Sequence, residues 1–364
     1  MLFLFAAMVA SFLATLLLVR YEHTHRAFSS DTEVHQVNKV HVLPVTRIGG
    51  VGVFCGILIS WALRYFDDSA VAQNGLLILL SALPVFTAGL VEDTTKRGWH
   101  WLRFFSALVS GALGGWLLQA WLVRVDLIGV DALLLMPVVS VVFTCIAVAG
   151  VTHAFNIIDG FNGLTTGVAT LILLAISYVA FKTGDVLILA AGLTGVGAIV
   201  GFMLWNFPRG LIYLGDGGAY LIGFWVAELS VLLVVRNPQV SPWFPLVLCS
   251  YPVFETLFSM YRRIFLSGAH PMRPDAAHLH HMIYRRLVRW AIGTPTNQQQ
   301  NHRNSMTAPY LWILTSVGVI PAVLFWRFST ALQVTALMFA VFYVYGYAQI
   351  VRFRAPRWWV IRKK

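Results

Sequence analysis

Four short segments of this chain concentrate the residues able to do chemistry. The first holds two adjacent acids, Glu92 and Asp93, followed by Lys96, Arg97 and Arg103. Adjacent carboxylates repel when both are ionised, so a nearby cation or metal must hold them charged; otherwise one is available as a base. The second, HAFNIIDGFNGL from His153 to Leu164, spaces Asn156, Asp159 and Asn162 three residues apart. If it stays helical, amide, carboxylate and amide share one face, while Gly160 and Gly163 admit a turn or a close ligand. That face suits a nucleobase edge or a metal-bound phosphate, and an Asp-Gly turn joining two helices is the simpler use. The third, YLGDGGAYLIG from Tyr213 to Gly223, sets Asp216 among glycines. It offers a hard oxygen ligand for Mg²⁺ and N–H groups for phosphate at a helix start, or a close helix crossing. The fourth, PDAAHLHHMIYRRL, carries His278, His280 and His281. As a helix it puts His278 and His281 on one face with Arg285 a turn further on. No cysteine or glutamate in the segment completes a zinc site, and imidazoles with arginines suit a pyrophosphate.

The elements that position these segments are membrane helices. Of 364 residues, 58% are hydrophobic and 11% charged, with a mean hydropathy of +0.74. Soluble domains carry about 25% charged residues, so that class is excluded. Apolar runs long enough to span predict eleven transmembrane helices in an all-α polytopic bundle. They lie near 2–19, 48–66, 75–91, 102–123, 132–155, 164–181, 186–205, 214–235, 243–260, 308–326 and 331–351. The first lacks a preceding basic region and a small-residue cleavage site, and reads as a span. Cys55, Cys145 and Cys249 sit inside apolar runs and read as small buried hydrophobes.

With the N-terminus outside, 21 of the 26 Lys and Arg residues fall on one side. By the positive-inside rule that side is cytoplasmic, and so is the C-terminus. Topology thus absorbs the net charge of +11 without a nucleic-acid partner. Residues 1–364 read as one integral-membrane domain with cytoplasmic loops near 20–47, 92–101, 156–163, 206–213 and 261–307. All four polar segments then meet the cytoplasmic face. The tract 294–304, TNQQQNHRN and its flanks, is expected to be mobile by composition. No internal repeat is visible and the polar motifs avoid the midplane, which argues against a transporter for a nucleotide sugar or another anion. Glu228 and Glu255 lie inside spans and take no catalytic role; Glu228 is about 18 Å along a helix from Asp216.

Taken together and in this order, the four clusters resemble the polyprenyl-phosphate N-acetylhexosamine-1-phosphate transferases (glycosyltransferase family 4), related to phospho-N-acetylmuramoyl-pentapeptide transferase. The resemblance runs from about residue 40 to 287. It includes the first-loop segment PVTRIGG, with Pro44, Arg47, Gly49 and Gly50. Glu92 replaces the family's usual first Asp, His153 stands where Asn is common, Asn162 replaces an Asp, and Ala219 stands where Ser is frequent. HLHH after a Pro-Asp pair looks like the N-acetylglucosamine-type branch.

The resemblance implies transfer of a sugar-1-phosphate from a UDP-N-acetylhexosamine to undecaprenyl phosphate, releasing UMP, in a bacterial plasma membrane. Such a step would begin O-antigen or a similar cell-envelope glycan. It implies Mg²⁺, with Mn²⁺ as a substitute, on Asp216 with Asn156 and Asp159. It implies catalytic roles for Asp93, Glu92, Asp159 and Asp216, with Asp93 contacting or deprotonating the lipid phosphate. Arg47, Arg103, Asn156, Gly160, Asn162, Tyr213, His278, His280 and His281 would bind substrate, Tyr213 by stacking on uracil. Direct attack is expected, and related enzymes suggest a homodimer. The family fold without catalysis is the remaining alternative.

Overall fold

The computed structural model describes residues 1–24, 45–96, 98–266, 277–288 and 297–354. Pro44, Arg97 and the basic C-terminal tail lie outside the described residues. The described chain is helical, in the order α1 Leu2–Arg20, α2 Gly50–Arg64, α3 Ser69–Thr95, α4 His100–Leu117, α5 Val130–Leu134, α6 Pro137–Ile158 and α7 Leu164–Thr183. Then follow α8 Val186–Asn206, α9 Gly215–Arg236, α10 Trp243–Leu248, α11 Ser250–Tyr261, α12 Leu279–Ile283, α13 Asn297–Leu324 and α14 Ser329–Val351. Arg262–Leu266 and Tyr284–Val288 are single π-helical turns.

Among the described residues, eight helices are long and apolar enough to cross a membrane: α1, α3, α6, α7, α8, α9, α13 (from Asn304) and α14. This is a multi-pass membrane protein. Each of the eleven predicted runs meets a helix, and three fall short of a full span. α2 has only 15 residues. α4 has 18 but opens on His100 and carries Arg103 and three glycines. The run 243–260 is broken at Cys249 into α10 and α11. Pro252 lacks the N–H that would reach the Leu248 carbonyl across that break. The tract expected to be mobile is instead helical from Asn297 onward, because α13 begins there, and Asn304 is 1% exposed.

α9 is the centre of the bundle. Nearly every residue along it is buried, and it packs on α3 and α6 while α1, α2 and α8 form a second layer. Its first turn approaches two backbones directly. A Cβ on Gly89 of α3 would stand 2.6 Å from the Gly217 Cα, and one on Gly50 of α2 would strike Gly218. Small residues on both partners permit this spacing.

At 22 residues α9 separates its ends by about 33 Å. At the Arg236 end, Asp185 caps α8 through the Ile188 N–H at 3.2 Å, and also receives Arg236 Nε at 2.7 Å and Asn237 Nδ2 at 3.3 Å. Arg124 reaches the Val240 carbonyl there, and Trp243 Nε1 donates to the Val125 carbonyl. At the Asp216 end, the four polar segments meet.

Candidate active site

Gly215 opens α9 at φ +76°, a left-handed conformation that glycine adopts without strain. Any Cβ there would collide with the Arg47 carbonyl. The preceding residues pair with the chain entering α2: Tyr213 N–H donates to the Thr46 carbonyl, and Gly49 and Gly50 N–H donate to the carbonyls of Tyr213 and Leu214, all at 2.8–3.0 Å. This backbone pairing explains why PVTRIGG and YLGDGG act as one unit. It also places Arg47 Nη2 3.8 Å from Asp216 Oδ1.

The free N–H groups of α9's first turn are taken by Asp93. Its Oδ1 accepts from Asp216 N–H and its Oδ2 from Gly217 N–H, both at 2.9 Å. Asp93 lies 7% exposed in the last turn of α3, where an acid opposes that helix's own dipole. The positive N-terminal end of α9 offsets this, so Asp93 fastens α3 to α9. Beside it, Glu92 forms an ion pair with Arg103 Nε at 3.1 Å.

Asn156 reaches the same point from α6. Its Nδ2 donates to Asp216 Oδ1 at 2.9 Å, and its Oδ1 accepts from Tyr220 OH at 3.2 Å. Tyr220, one turn beyond Asp216 on α9, therefore fixes which way the amide faces. Sequence reasoning gave Tyr220 no role, although its spacing of four from Asp216 was the available signal.

The shared face expected for Asn156, Asp159 and Asn162 does not form, because α6 ends at Ile158 and Asp159 is its cap with ψ +66°. Asn156 and Asp159 stay at the Asp216 end. Desolvation pushes the half-buried Asp159 carboxyl up to about 7. Asn162 turns into the protein: it is 2% exposed, its N–H donates to Asn304 Oδ1 at 2.7 Å, and its Nδ2 faces the Pro208 carbonyl at 3.5 Å. Gly163 N–H donates to Asn206 Oδ1, and the Gly163 carbonyl accepts from Trp312 Nε1. Asn206, Asn304 and Trp312 thus hold the turn, a role invisible in the sequence because each lies more than 40 residues away.

His280 and His281 pack edge-on against Phe161, with ring centroids 5.6 and 5.5 Å away. A Cβ on Gly160 would meet His280 Nε2 at 3.4 Å. Gly160 is thus the seat of a histidine. His278, His280 and His281 are 8%, 1% and 6% exposed. Burial holds the His280 imidazole well below its ordinary range, and the neighbouring His281 and His278 add to this. His278 caps α12 instead of lying within it. Its Nδ1 is 2.9 Å from Glu255 Oε1. His153 lies between Phe104, stacked at 6.0 Å, and the edge of Tyr220 at 5.3 Å.

Among the described residues, no group of three or more His, Cys, Asp and Glu side chains is arranged to hold a metal by itself. Asp216 presents a hard carboxylate donor, held by the Asn156 amide N–H, which fits an ion completing its shell with water and phosphate. The arrangement joins acids, amides and two arginines at one end of the bundle, where a hydrophilic anion and a lipid headgroup can meet.

Comparison with known proteins places a segment of this chain within a described family model. Residues 75–234, which contain Asp93, Asn156, Asp159 and Asp216, match the family model described as Glycosyl transferase family 4. The chain is 26% identical over 278 residues, 75% of its length and 72% of the relative's, to a "Probable undecaprenyl-phosphate N-acetylglucosaminyl 1-phosphate transferase" of Bacillus subtilis. It is 26% identical over 286 residues, 78% of its length and 81% of the relative's, to an "Undecaprenyl-phosphate alpha-N-acetylglucosaminyl 1-phosphate transferase" of Thermotoga maritima. A "Decaprenyl-phosphate N-acetylglucosaminephosphotransferase" of Mycolicibacterium smegmatis is 27% identical over 325 residues, 80% of this chain and 75% of the relative. The matched segment holds the acids that converge on the start of α9, and over it the chain is similar to glycosyl transferase family 4.

Proposed function

We propose that this protein transfers N-acetylglucosamine-1-phosphate from UDP-N-acetylglucosamine to a polyprenyl phosphate, undecaprenyl phosphate by default, and releases UMP. The observation that carries this reading is the convergence of Asp216, Asn156, Arg47 and the Asp93-capped start of α9 at one end of the bundle. The names of the relatives support the reaction class. The positive-inside count supports reading that end as the cytoplasmic face of a bacterial inner membrane, where the soluble donor and the lipid acceptor would meet. The product would start O-antigen or a similar envelope glycan.

A phosphate monoester loses its second proton with a pKa of about 6, so near neutral pH the acceptor already carries a nucleophilic oxygen and needs little help from a base. That oxygen attacks the donor's sugar-bearing phosphorus, the bond from this phosphorus to the UMP oxygen breaks, and UMP leaves with the electron pair. Such transfer depends on positioning and charge stabilisation. Mg²⁺, when bound, would neutralise charge on the diphosphate, and Asp216, Asn156 and Asp159 are the residues to hold it. Asp93 holds Asp216 in place by fastening the first turn of α9. Arg47 faces the anions, and the Glu92–Arg103 pair keeps a second guanidinium ordered beside them. Tyr213 is assigned to uracil stacking.

The test is UMP release by purified protein given undecaprenyl phosphate, Mg²⁺ and a panel of UDP-N-acetyl sugars. Release with UDP-N-acetylglucosamine, abolished by EDTA and by Asp216→Asn, is the expected result. Folded protein that releases no UMP with any sugar would overturn the reading.

A further inference from the structure

Glu255 is an acid inside the membrane bundle that the proposed chemistry does not use. It is 1% exposed in α11, and a carboxylate buried among apolar helices is costly, so it needs a reason to be there. Both its oxygens are engaged. Oε1 faces His278 Nδ1 at 2.9 Å and accepts from Leu279 N–H at 3.1 Å, and Oε2 accepts from Tyr343 OH at 2.8 Å. On the other side of the ring, His278 Nε2 lies 3.3 Å from Arg263 Nη2.

A guanidinium only donates and a carboxylate only accepts. Arg263 therefore requires a lone pair on Nε2, and Glu255 requires a proton on Nδ1. Two neighbours from different elements select the same tautomer. We propose that Glu255 is a positioning residue: it fixes His278 as the Nδ1–H tautomer and, through it, aims Arg263 as a cation for the anionic donor. The inference rests on the transferase reading for its ligand, and on geometry alone for the tautomer. The order of dependence is Glu255 to His278 to Arg263, from the bundle interior outward, and Tyr343 only braces the far oxygen of Glu255. Tyr347 steadies the same loop by donating to the Ala277 carbonyl at 2.9 Å. Outer partners of this kind orient a functional imidazole through its second nitrogen.

The experiment compares wild type, Glu255→Gln and Tyr343→Phe in detergent, by the ¹⁵N resonances of labelled histidine and by steady-state kinetics with UDP-N-acetylglucosamine. Glu255→Gln keeps the shape but can present an amide N–H to Nδ1. The expected result is loss of the pure Nδ1–H signature of His278 and a rise of about tenfold in donor KM, with kcat within about twofold. Tyr343→Phe keeps the carboxylate, and is expected to retain both the signature and KM. The proposal is overturned if Glu255→Gln retains the wild-type tautomer and KM, or if Tyr343→Phe shows the same changes as Glu255→Gln. Should wild type turn over no UDP-sugar, the transferase reading fails while the ¹⁵N measurement still decides the tautomer.

Discussion

The two ends of α9 both carry an acid beside an arginine, and they use the pair differently. At the Arg236 end, Asp185 is saturated by its own chain: a helix N–H, a guanidinium and an amide all converge on one carboxylate. At the Asp216 end, four acids gather, and their partners are mostly one another's supports. Asp93 is spent on backbone N–H groups, Glu92 on Arg103, and Asp216 meets one amide and an arginine 3.8 Å away. Acids gathered in one place, with arginines at their rim, mark a candidate functional site. A saturated carboxylate holds a fold together; a crowded set of them is the feature on which the proposed cation and phosphate site rests.

The sharpest way to break this comparison is to neutralise one acid at each end. Asp216→Asn is expected to lower kcat by about 10³-fold with little change in thermal midpoint. Asp185→Asn is expected to lower stability by about 1 kcal/mol, a modest value because Arg236 is half exposed, and to leave turnover within about twofold. UMP release and thermal melting in detergent read both, and an inactive but stable Asp185→Asn would end the distinction. A smaller effect probes the Glu92–Arg103 pair. Glu92→Gln and Arg103→Ala should each reduce kcat/KM by about tenfold, and the double variant should lose scarcely more, because each already removes the pair. Additive losses in that cycle would show that the two residues act separately. A last probe, read as stability and not turnover, is a contrast between glycines. Gly89→Ala pushes a Cβ toward the Gly217 backbone and is expected to cost about 1–3 kcal/mol and disturb the Asp93 cap. Gly184, at φ +77° with open space around it, should lose only about 1 kcal/mol as Ala and keep full activity.

The polar clusters were legible because a charge in an apolar run is costly and therefore conspicuous: Asp216, Asp93 and Asn156 stood out, and they meet. What each does with its neighbours was not. Asn162 looked like a third member of a helical face, yet α6 stops at Ile158, and the partner that claims its N–H, Asn304, is 142 residues away. Tyr220 was hidden among aromatic residues that serve packing elsewhere in α9. Glu255 was visible as an anomaly, but its purpose depended on α12 and α14 folding back over it. Counting spans by apolar length found the eight long helices, while α2 and α4 are continuous but fall short of a span and the run 243–260 is divided by a proline two residues into α11.

The tie between Asn162 and Asn304 has a consequence for how the molecule is made. Helices enter the membrane in chain order, and the turn carrying Asp159 receives its last hydrogen-bond acceptor only when α13 arrives. A nascent chain that stops short of α13 already contains every acid of the site, yet lacks the anchor that shapes the loop between α6 and α7. Catalytic competence is therefore a late event in biogenesis, and a chain cut before residue 304 should regain it when α13 and α14 are supplied as a separate polypeptide.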